Sequence, residues 1–334
     1  MDLTAVTTSN EQTFQRTRLD SGLMPNLCQG ISVVIPVYNS QDSLPIVVER
    51  IESVLSLCVT QFEVVLVDDC SKDHSWEVIS KLARDHAWVH GIRLMRNFGQ
   101  HNALLCGIRS AQYDTIATLD DDLQNPPEEI PKMLALLSAG FDVVYGQPEH
   151  QQHGLLRDLA STLTKIALKN AMGAETARSV SAYRVFRTQL RDAFANYKGP
   201  YVSIDVLLTW GTGHFAATKV RHDSRTIGSS GYTLGKLVRH AMNMMTGFST
   251  FPLQVASIIG FAFTFFGIAV LSFVLGKYLM YGSVVAGFPF LASIIAIFSG
   301  AQLFALGIIG EYLARMHFRT MDRPPYAIRE TAEK

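Results

Sequence analysis

Two stretches of this chain stay free of charge over a distance that few soluble folds tolerate. From Pro252 to Gly276, and again from Gly282 to Gly310, there is no Asp, Glu, Lys or Arg. A helix needs roughly 20 apolar residues to cross a bilayer core of about 30 Å, and each run is longer than that. A buried core helix is the competing account, but such helices rarely remain uncharged for so long. Two transmembrane helices are therefore expected, over about 252–277 and 284–312, within a membrane segment 251–313. Arg221, Arg225, Lys236, Arg239 and His240 precede the first run, and Arg315, Arg319, Arg323 and Arg329 follow the second. The connector Tyr278 to Gly287 has only Lys277 at its edge. Basic flanks mark the cytoplasmic side, so both termini are expected there, with the hairpin tip outside and 314–334 as a cytoplasmic tail.

The 334 residues leave room for one sizeable domain ahead of the hairpin. With 29 basic and 29 acidic residues, bulk charge argues neither for nor against a nucleic-acid partner. Cys28, Cys58, Cys70 and Cys106 lack metal-ligand spacing and lie in the segment assigned to the cytoplasm, where thiols stay reduced. Residues 1–29 contain no apolar signal stretch and read as a polar, poorly ordered lead-in.

From Gly30 to about Val144, apolar runs alternate with amphipathic ones. Ile31 to Ile35, Phe62 to Val67, Val89 to Leu94, Thr115 to Leu119 and Asp142 to Tyr145 read as strands. Ser43 to Leu57, a stretch ending at Ala83, His101 to Ser110 and Pro127 to Ser138 read as helices. That alternation predicts a mostly parallel sheet covered on both faces, within a domain spanning 30–230. Ligands of such sheets bind at the carboxyl ends of the strands. Leu155 to Met172 is basic and amphipathic, suited either to the membrane interface or to packing on the sheet. Tyr232 to Gly247, within a juxtamembrane segment 231–250, leads into the first apolar run.

The polar clusters fall at those strand ends. Asp120-Asp121-Asp122 follows Thr115 to Leu119; on an extended strand end, residues i and i+2 share a side, so Asp120 and Asp122 can converge on one divalent cation. Gln124 joins them if the backbone stays extended. A solvated acidic turn is the plainer reading. Asp68-Asp69 ends the second strand and can accept hydrogen bonds from a base or ribose, or cap the next helix together with Ser71 or Asp73. Pro36-Val-Tyr38-Asn39 offers a ring and an amide at the first strand's end. Arg96-Asn97-Phe98-Gly99-Gln100-His101 offers a cation and a flexible turn after the third.

Ile31-Ser-Val-Val-Ile-Pro-Val-Tyr-Asn39, Val67-Asp-Asp-Cys-Ser-Lys-Asp73, Arg96-Asn-Phe-Gly99 and Asp120-Asp-Asp-Leu-Gln-Asn-Pro-Pro-Glu128 together resemble the signature set of inverting family-2 glycosyltransferases of the GT-A fold. Joined to the apolar hairpin and to Gly310-Glu-Tyr-Leu-Ala-Arg315, they resemble the polyprenyl-phosphate glycosyltransferases more narrowly. The resemblance runs from about Ile31 to Tyr326. It implies a Rossmann-like α/β domain, a nucleotide-sugar donor, a polyprenyl phosphate acceptor, Mg²⁺ or Mn²⁺ as cofactor, and a place in a bacterial inner membrane among its lipids. It implies no nucleic-acid partner and leaves a homo-oligomer open. Metal and diphosphate would bind at Asp120, Asp122 and Gln124, and base and ribose at Pro36, Tyr38, Asn39 and Asp69, with Asp68, Arg96, Asn97, Gly99, Gln100 and Asp121 lining the donor site. The acceptor phosphate would meet Arg157, Arg184 and Arg225. Two departures stand out: Asp121 replaces a usually small residue, and Gly231 stands where a Lys is common, so that contact is either absent or supplied from elsewhere, for instance by Lys236. Whether Asp121 or Asp205 assists the chemistry stays open.

A processive polysaccharide synthase is the nearest alternative, but such enzymes carry Gln-x-x-Arg-Trp, whereas Leu-Leu-Thr precedes Trp210 here. A non-catalytic membrane scaffold or flippase subunit is the other. The acidic triplet argues against it, as does a hairpin whose polar side chains of any length are Gln254 and Gln302.

Overall fold

The computed structural model describes residues 28–148, 180–199, 202–223, 251–281 and 288–334. The expected helices at 155–172 and 231–250 lie outside these residues, as does most of the N-terminal lead-in.

The described residues form two compact units. The first is built on an eight-stranded sheet. Strand β1 (Cys28–Val37) leads to helix α1 (Leu44–Leu55), β2 (Val59–Asp68), α2 (Ser75–Asp85), β3 (Val89–Leu94), α3 (Gln100–Ser110) and β4 (Thr115–Thr118). A 3-10 turn, Pro127–Glu129, opens α4 (Ile130–Ser138), and β5 (Val143–Pro148) follows. Further along come β6 (Arg184–Arg187), a 3-10 segment Thr188–Phe194, α5 (Ile204–Leu208) and β7 (Phe215–Val220). The strand order is β7-β5-β6-β4-β1-β2-β3-β8, where β8 is Ile328–Ala332. β3, β2, β1 and β4 run parallel, while β6 and β8 pair antiparallel with their neighbours.

Ile31, Val33, Val34 and Ile35 are completely buried, as a strand covered on both faces requires. Helix α1 buries Leu44, Val47, Val48, Ile51 and Leu55, an i, i+3, i+4, i+7 stripe, with Pro45 pre-set in its first turn. Helix α3 is buried from Asn102 to Ile108 because it lies tightly on the sheet at Gly107. A Cβ there would stand 3.0 Å from Val67 Cγ2 and closer still to Val34 Cγ1. The stretch after Arg323, expected to be a tail, instead contains β8, which caps the β3 edge of the sheet.

The second unit contains α6 (Phe251–Tyr281) and α7 (Phe288–Thr320). Both are long and apolar enough to cross a membrane, over Pro252–Lys277 and Ile297–Phe318. Their apolar side chains face outward: Phe261 is 66% exposed and Leu279 75%. Phe298 packs against Phe263 and Phe266, at ring separations of 5.6 and 6.5 Å. The second helix starts and ends later than its uncharged run. It continues through Glu311 and Arg315, which pair at 2.9 Å one turn apart.

Candidate active site at the strand ends

Chain order reverses between β1 and β4: β1, β2 and β3 step one way across the sheet, and the crossover through α3 brings β4 back to the far side of β1. A crevice opens at such a switch point, outside the carboxyl ends of the strands. The loop that follows each of β1 to β4 contains a residue with positive φ: Asn39 (φ 56), Cys70 (φ 61), Gly99 (φ 98) and Leu123 (φ 61). For the three non-glycines this costs roughly 1–2 kcal/mol apiece, so their loops must be held by other contacts.

Those contacts are dense. Asn39 N–H donates to Ser71 Oγ (3.0 Å), and Lys72 N–H donates to Asn39 Oδ1 (2.8 Å). His74 N–H reaches Gln41 Oε1, and Gln41 N–H reaches Asp73. Burial works against ionisation of Asp73, but hydrogen bonds from Ser75 and Gln41 outweigh it and lower its pKa. Asp69 accepts the N–H groups of Phe98 (2.7 Å) and Gly99 (2.8 Å), which ties β2 to the turn before α3. Burial raises the Asp69 pKa to about 6 despite those bonds, with neighbouring Asp68 adding to the rise. Asp121 accepts Ser40 O–H (2.5 Å) and Tyr38 N–H (3.3 Å), joining β4 to β1. Burial raises its pKa too.

These bonds redistribute the expected roles. Asp68 is completely buried: its carboxylate caps Ser71 N–H at 2.9 Å and lies 3.3 Å from Arg93 Nε, so it serves the fold and meets no ligand in the crevice. Pro36 is buried within β1, leaving Tyr38 beside it, 44% exposed, as the surface a ring could meet. Asn39, Asp69 and Asp121 use side-chain oxygens to pin loops together. Arg96, Asn97 and Gln100 are exposed, and the Arg96 guanidinium lies 4.5 Å from the centre of the Phe98 ring.

The acidic triplet departs from the expected geometry. Strand β4 stops at Thr118, and a turn with left-handed Leu123 replaces the extended backbone, so the i, i+2 argument does not hold there. Asp120 and Asp122 are nevertheless both half-buried beside the crevice. Gln100 Nε2 donates to Asp120 Oδ1 at 2.6 Å, and Gln124 N–H donates to Asp122 Oδ1 at 3.1 Å. Among the described residues, no group of three or more His, Cys, Asp or Glu converges as a ready metal cage. Two hard carboxylates still suit Mg²⁺ or Mn²⁺, which are commonly held by one or two carboxylates and filled out by water and substrate phosphates.

Of the three arginines, Arg157 and Arg225 lie outside the described residues. Arg184 on β6 is an interior residue, its side chain 2% exposed. Its Nη1 donates to Asp205 Oδ1 at 2.5 Å and its Nε to the Ala182 carbonyl at 3.3 Å. Tyr145 O–H donates to the same Asp205 oxygen at 3.2 Å. The guanidinium is therefore committed to a buried ion pair and is not presented to a phosphate.

Ser40 and Ser75 carry no distinguishing signal in the sequence, and Ser71, expected as a helix cap, instead accepts the Asn39 N–H. The sequence reading missed Asn102, whose Nδ2 donates to the Pro325 carbonyl at 2.7 Å across the whole chain.

Fold and site together are those of an α/β protein with a polar crevice at the switch point of its sheet. The glycosyl transferase family 2 pattern matches residues 32–197. An undecaprenyl-phosphate 4-deoxy-4-formamido-L-arabinose transferase from Shewanella sediminis is 36% identical over 304 residues, covering 90% of this chain and 92% of the relative. The Yersinia enterocolitica protein of the same name is 34% identical, covering 90% and 93%. The chain thus belongs to glycosyl transferase family 2, among its polyprenyl-phosphate glycosyltransferases. Among solved structures, glucosyl-3-phosphoglycerate synthase from Mycobacterium tuberculosis in complex with Mn²⁺, UDP and phosphoglyceric acid superposes with a TM-score of 0.49 at 17% identity, covering 65% of this chain and 76% of that one.

Proposed function

We propose that this membrane protein transfers a sugar from a nucleotide diphosphate donor to a polyprenyl phosphate at the cytoplasmic face of a membrane, inverting the anomeric carbon. The observation that carries the reading is the pair of half-buried carboxylates, Asp120 and Asp122, at the β1/β4 switch point, each oriented by its own hydrogen bond. They would hold a divalent cation, which when bound offsets the charge of the diphosphate as it leaves. Tyr38 offers a ring face to the base, and Arg96 and Asn97 stand exposed beside the same crevice. The acceptor phosphate is already an anion and needs positioning more than deprotonation. Arg157 and Arg225 suit that task, because a guanidinium fork grips phosphate oxygens in pairs. One acceptor oxygen bonds to the anomeric carbon as the bond from that carbon to the diphosphate breaks, and the nucleoside diphosphate departs.

The basic flanks of the apolar helices support cytoplasmic termini. The relatives are named for 4-deoxy-4-formamido-L-arabinose, so that sugar is the first to test, with UDP- and GDP-linked hexoses beside it. Purified protein in detergent, given each donor with undecaprenyl phosphate and Mg²⁺ or Mn²⁺, is expected to form a glycolipid with one of them and to stop on chelation. No metal-dependent transfer from any donor would sink the reading.

A further inference from the structure

The last eleven residues are bound into the catalytic unit at the helix that carries part of the donor site. β8 pairs antiparallel with β3, matching Thr331 to Ile92 and Glu330 to Arg93. Its own side chains are largely exposed, so the strand pairing buries little. The firm contacts come just before it. Asn102 Nδ2 donates to the Pro325 carbonyl at 2.7 Å, and Met95 N–H donates to the Ala327 carbonyl at 2.8 Å. Tyr326 lies under the Arg109 guanidinium, 5.8 Å from ring centre to carbon, and its hydroxyl meets the Cys106 thiol. Asn102 is 8% exposed and Cys106 1%. Asn102, Cys106 and Arg109 are spaced along one helix, α3.

The first turn of α3 is also where the donor site is held. Gln100, two residues before Asn102, orients Asp120, and the Phe98 and Gly99 N–H groups just ahead of the helix bond Asp69. We infer that residues 324–332 are a strap that fixes the first turn of α3, with Asn102 as a positioning residue acting on Asp120 through Gln100. This rests on the reading of Asp120 as a ligand of the donor's metal–diphosphate. A buried amide used only to pack the C-terminus would have no reason to affect donor binding. One placed a half-turn from Gln100 has a direct route to it.

Cys106 can report strap docking, because Tyr326 is seated against its thiol. In the full-length protein in detergent, Asn102→Ala should raise the donor KM about tenfold, the usual scale for one lost buried hydrogen bond. The acceptor KM should stay within about twofold, since Gln100 and Asp120 serve the donor alone. In a chain already carrying Gln100→Ala, the same change should add less than about twofold, because both variants break one route. Tyr326→Ala, which leaves α3 itself intact, should speed Cys106 alkylation and raise the donor KM together. Should Asn102→Ala fail to fold, Tyr326→Ala carries the test alone. Faster alkylation with an unchanged donor KM, or full additivity with Gln100→Ala, would overturn the strap and leave the transferase reading standing. A wild-type chain without metal-dependent transfer would bring both down.

Discussion

The ends of β2 and β4 carry nearly the same sequence, adjacent aspartates after an apolar strand, and put it to opposite uses. After β2, Asp68 and Asp69 are buried: Asp68 accepts the N–H of nearby Ser71 and faces Arg93, and Asp69 accepts the N–H groups of Phe98 and Gly99. After β4, Asp120 and Asp122 stay half-exposed, with Gln100 Nε2 donating to Asp120 and Gln124 N–H to Asp122. Asp121, between them, behaves like the β2 pair, because Ser40 and Tyr38 take up one of its oxygens. A carboxylate near a crevice thus serves as a fastener where the fold buries it among its partners, and stays accessible to a ligand where the fold leaves it in contact with solvent. That burial depends on how the loops after the strands pack.

The sharpest way to break this comparison is to neutralise one member of each pair. Asp122→Asn should reduce transfer on the order of a thousandfold with an unchanged melting temperature, since a metal-anchoring charge is lost without any packing. Asp68→Ala should do the reverse. It leaves Arg93 facing a buried gap and should cost about 2 kcal/mol of stability, below the range for a fully buried pair because Arg93 is partly exposed. A stable Asp68→Ala chain that had lost its metal requirement would invert the assignment.

The arginines extend the same contrast. Arg157→Ala and Arg225→Ala should each slow transfer roughly a hundredfold, or about 2–4 kcal/mol, with fold and donor affinity retained. Arg184→Ala should instead destabilise the protein by about 3–5 kcal/mol by stranding Asp205, measured as a fall in melting temperature. A double change, Arg184→Met with Asp205→Leu, should recover much of that loss. If Arg184→Ala kept its melting temperature and lost only activity, the buried pair would be a catalytic feature after all.

The smallest effect is a pH slope. Folded Asp69 keeps its proton up to about pH 6, whereas the unfolded chain releases it near 3.8. Between those values the folded state holds more protons, so Asp69's stabilising contribution, complete below 3.8, is lost as pH rises through 6. The whole change is on the order of 2–3 kcal/mol. Asp69→Asn should flatten that part of the melting-temperature profile. A profile identical to wild type between pH 3.5 and 7 would mean that Asp69 titrates normally.

Much of the fold was legible because its signals are local. Runs such as Ile31 to Ile35 and Val89 to Leu94 carry strand character in a few consecutive residues, and the α1 stripe shows its period within four turns. The site was legible in position but not in role. Polar residues at strand ends located the crevice, yet nothing in Asp-Asp indicates which oxygen will meet an N–H. The resemblance put Arg184 at the acceptor phosphate, and nothing local to it shows that its partner is Asp205, 21 residues on.

By itself, the sequence determined an alternating α/β domain, two long uncharged runs, and a set of acids and amides gathered at one edge of the sheet. These follow from side-chain periodicity and hydrophobic runs, which depend on neighbours within a turn or two. Tertiary structure alone decided that Asp68, Asp69, Asp121 and Arg184 are bonded within the fold, that Asp120 and Asp122 keep contact with solvent, and that residues 328–332 add a strand to the β3 edge. The stitching bonds span 29 residues from Asp69 to Phe98, 81 from Ser40 to Asp121 and 223 from Asn102 to Pro325. A buried polar group is stable only when matched, and the matching partner is brought to it by the folded chain.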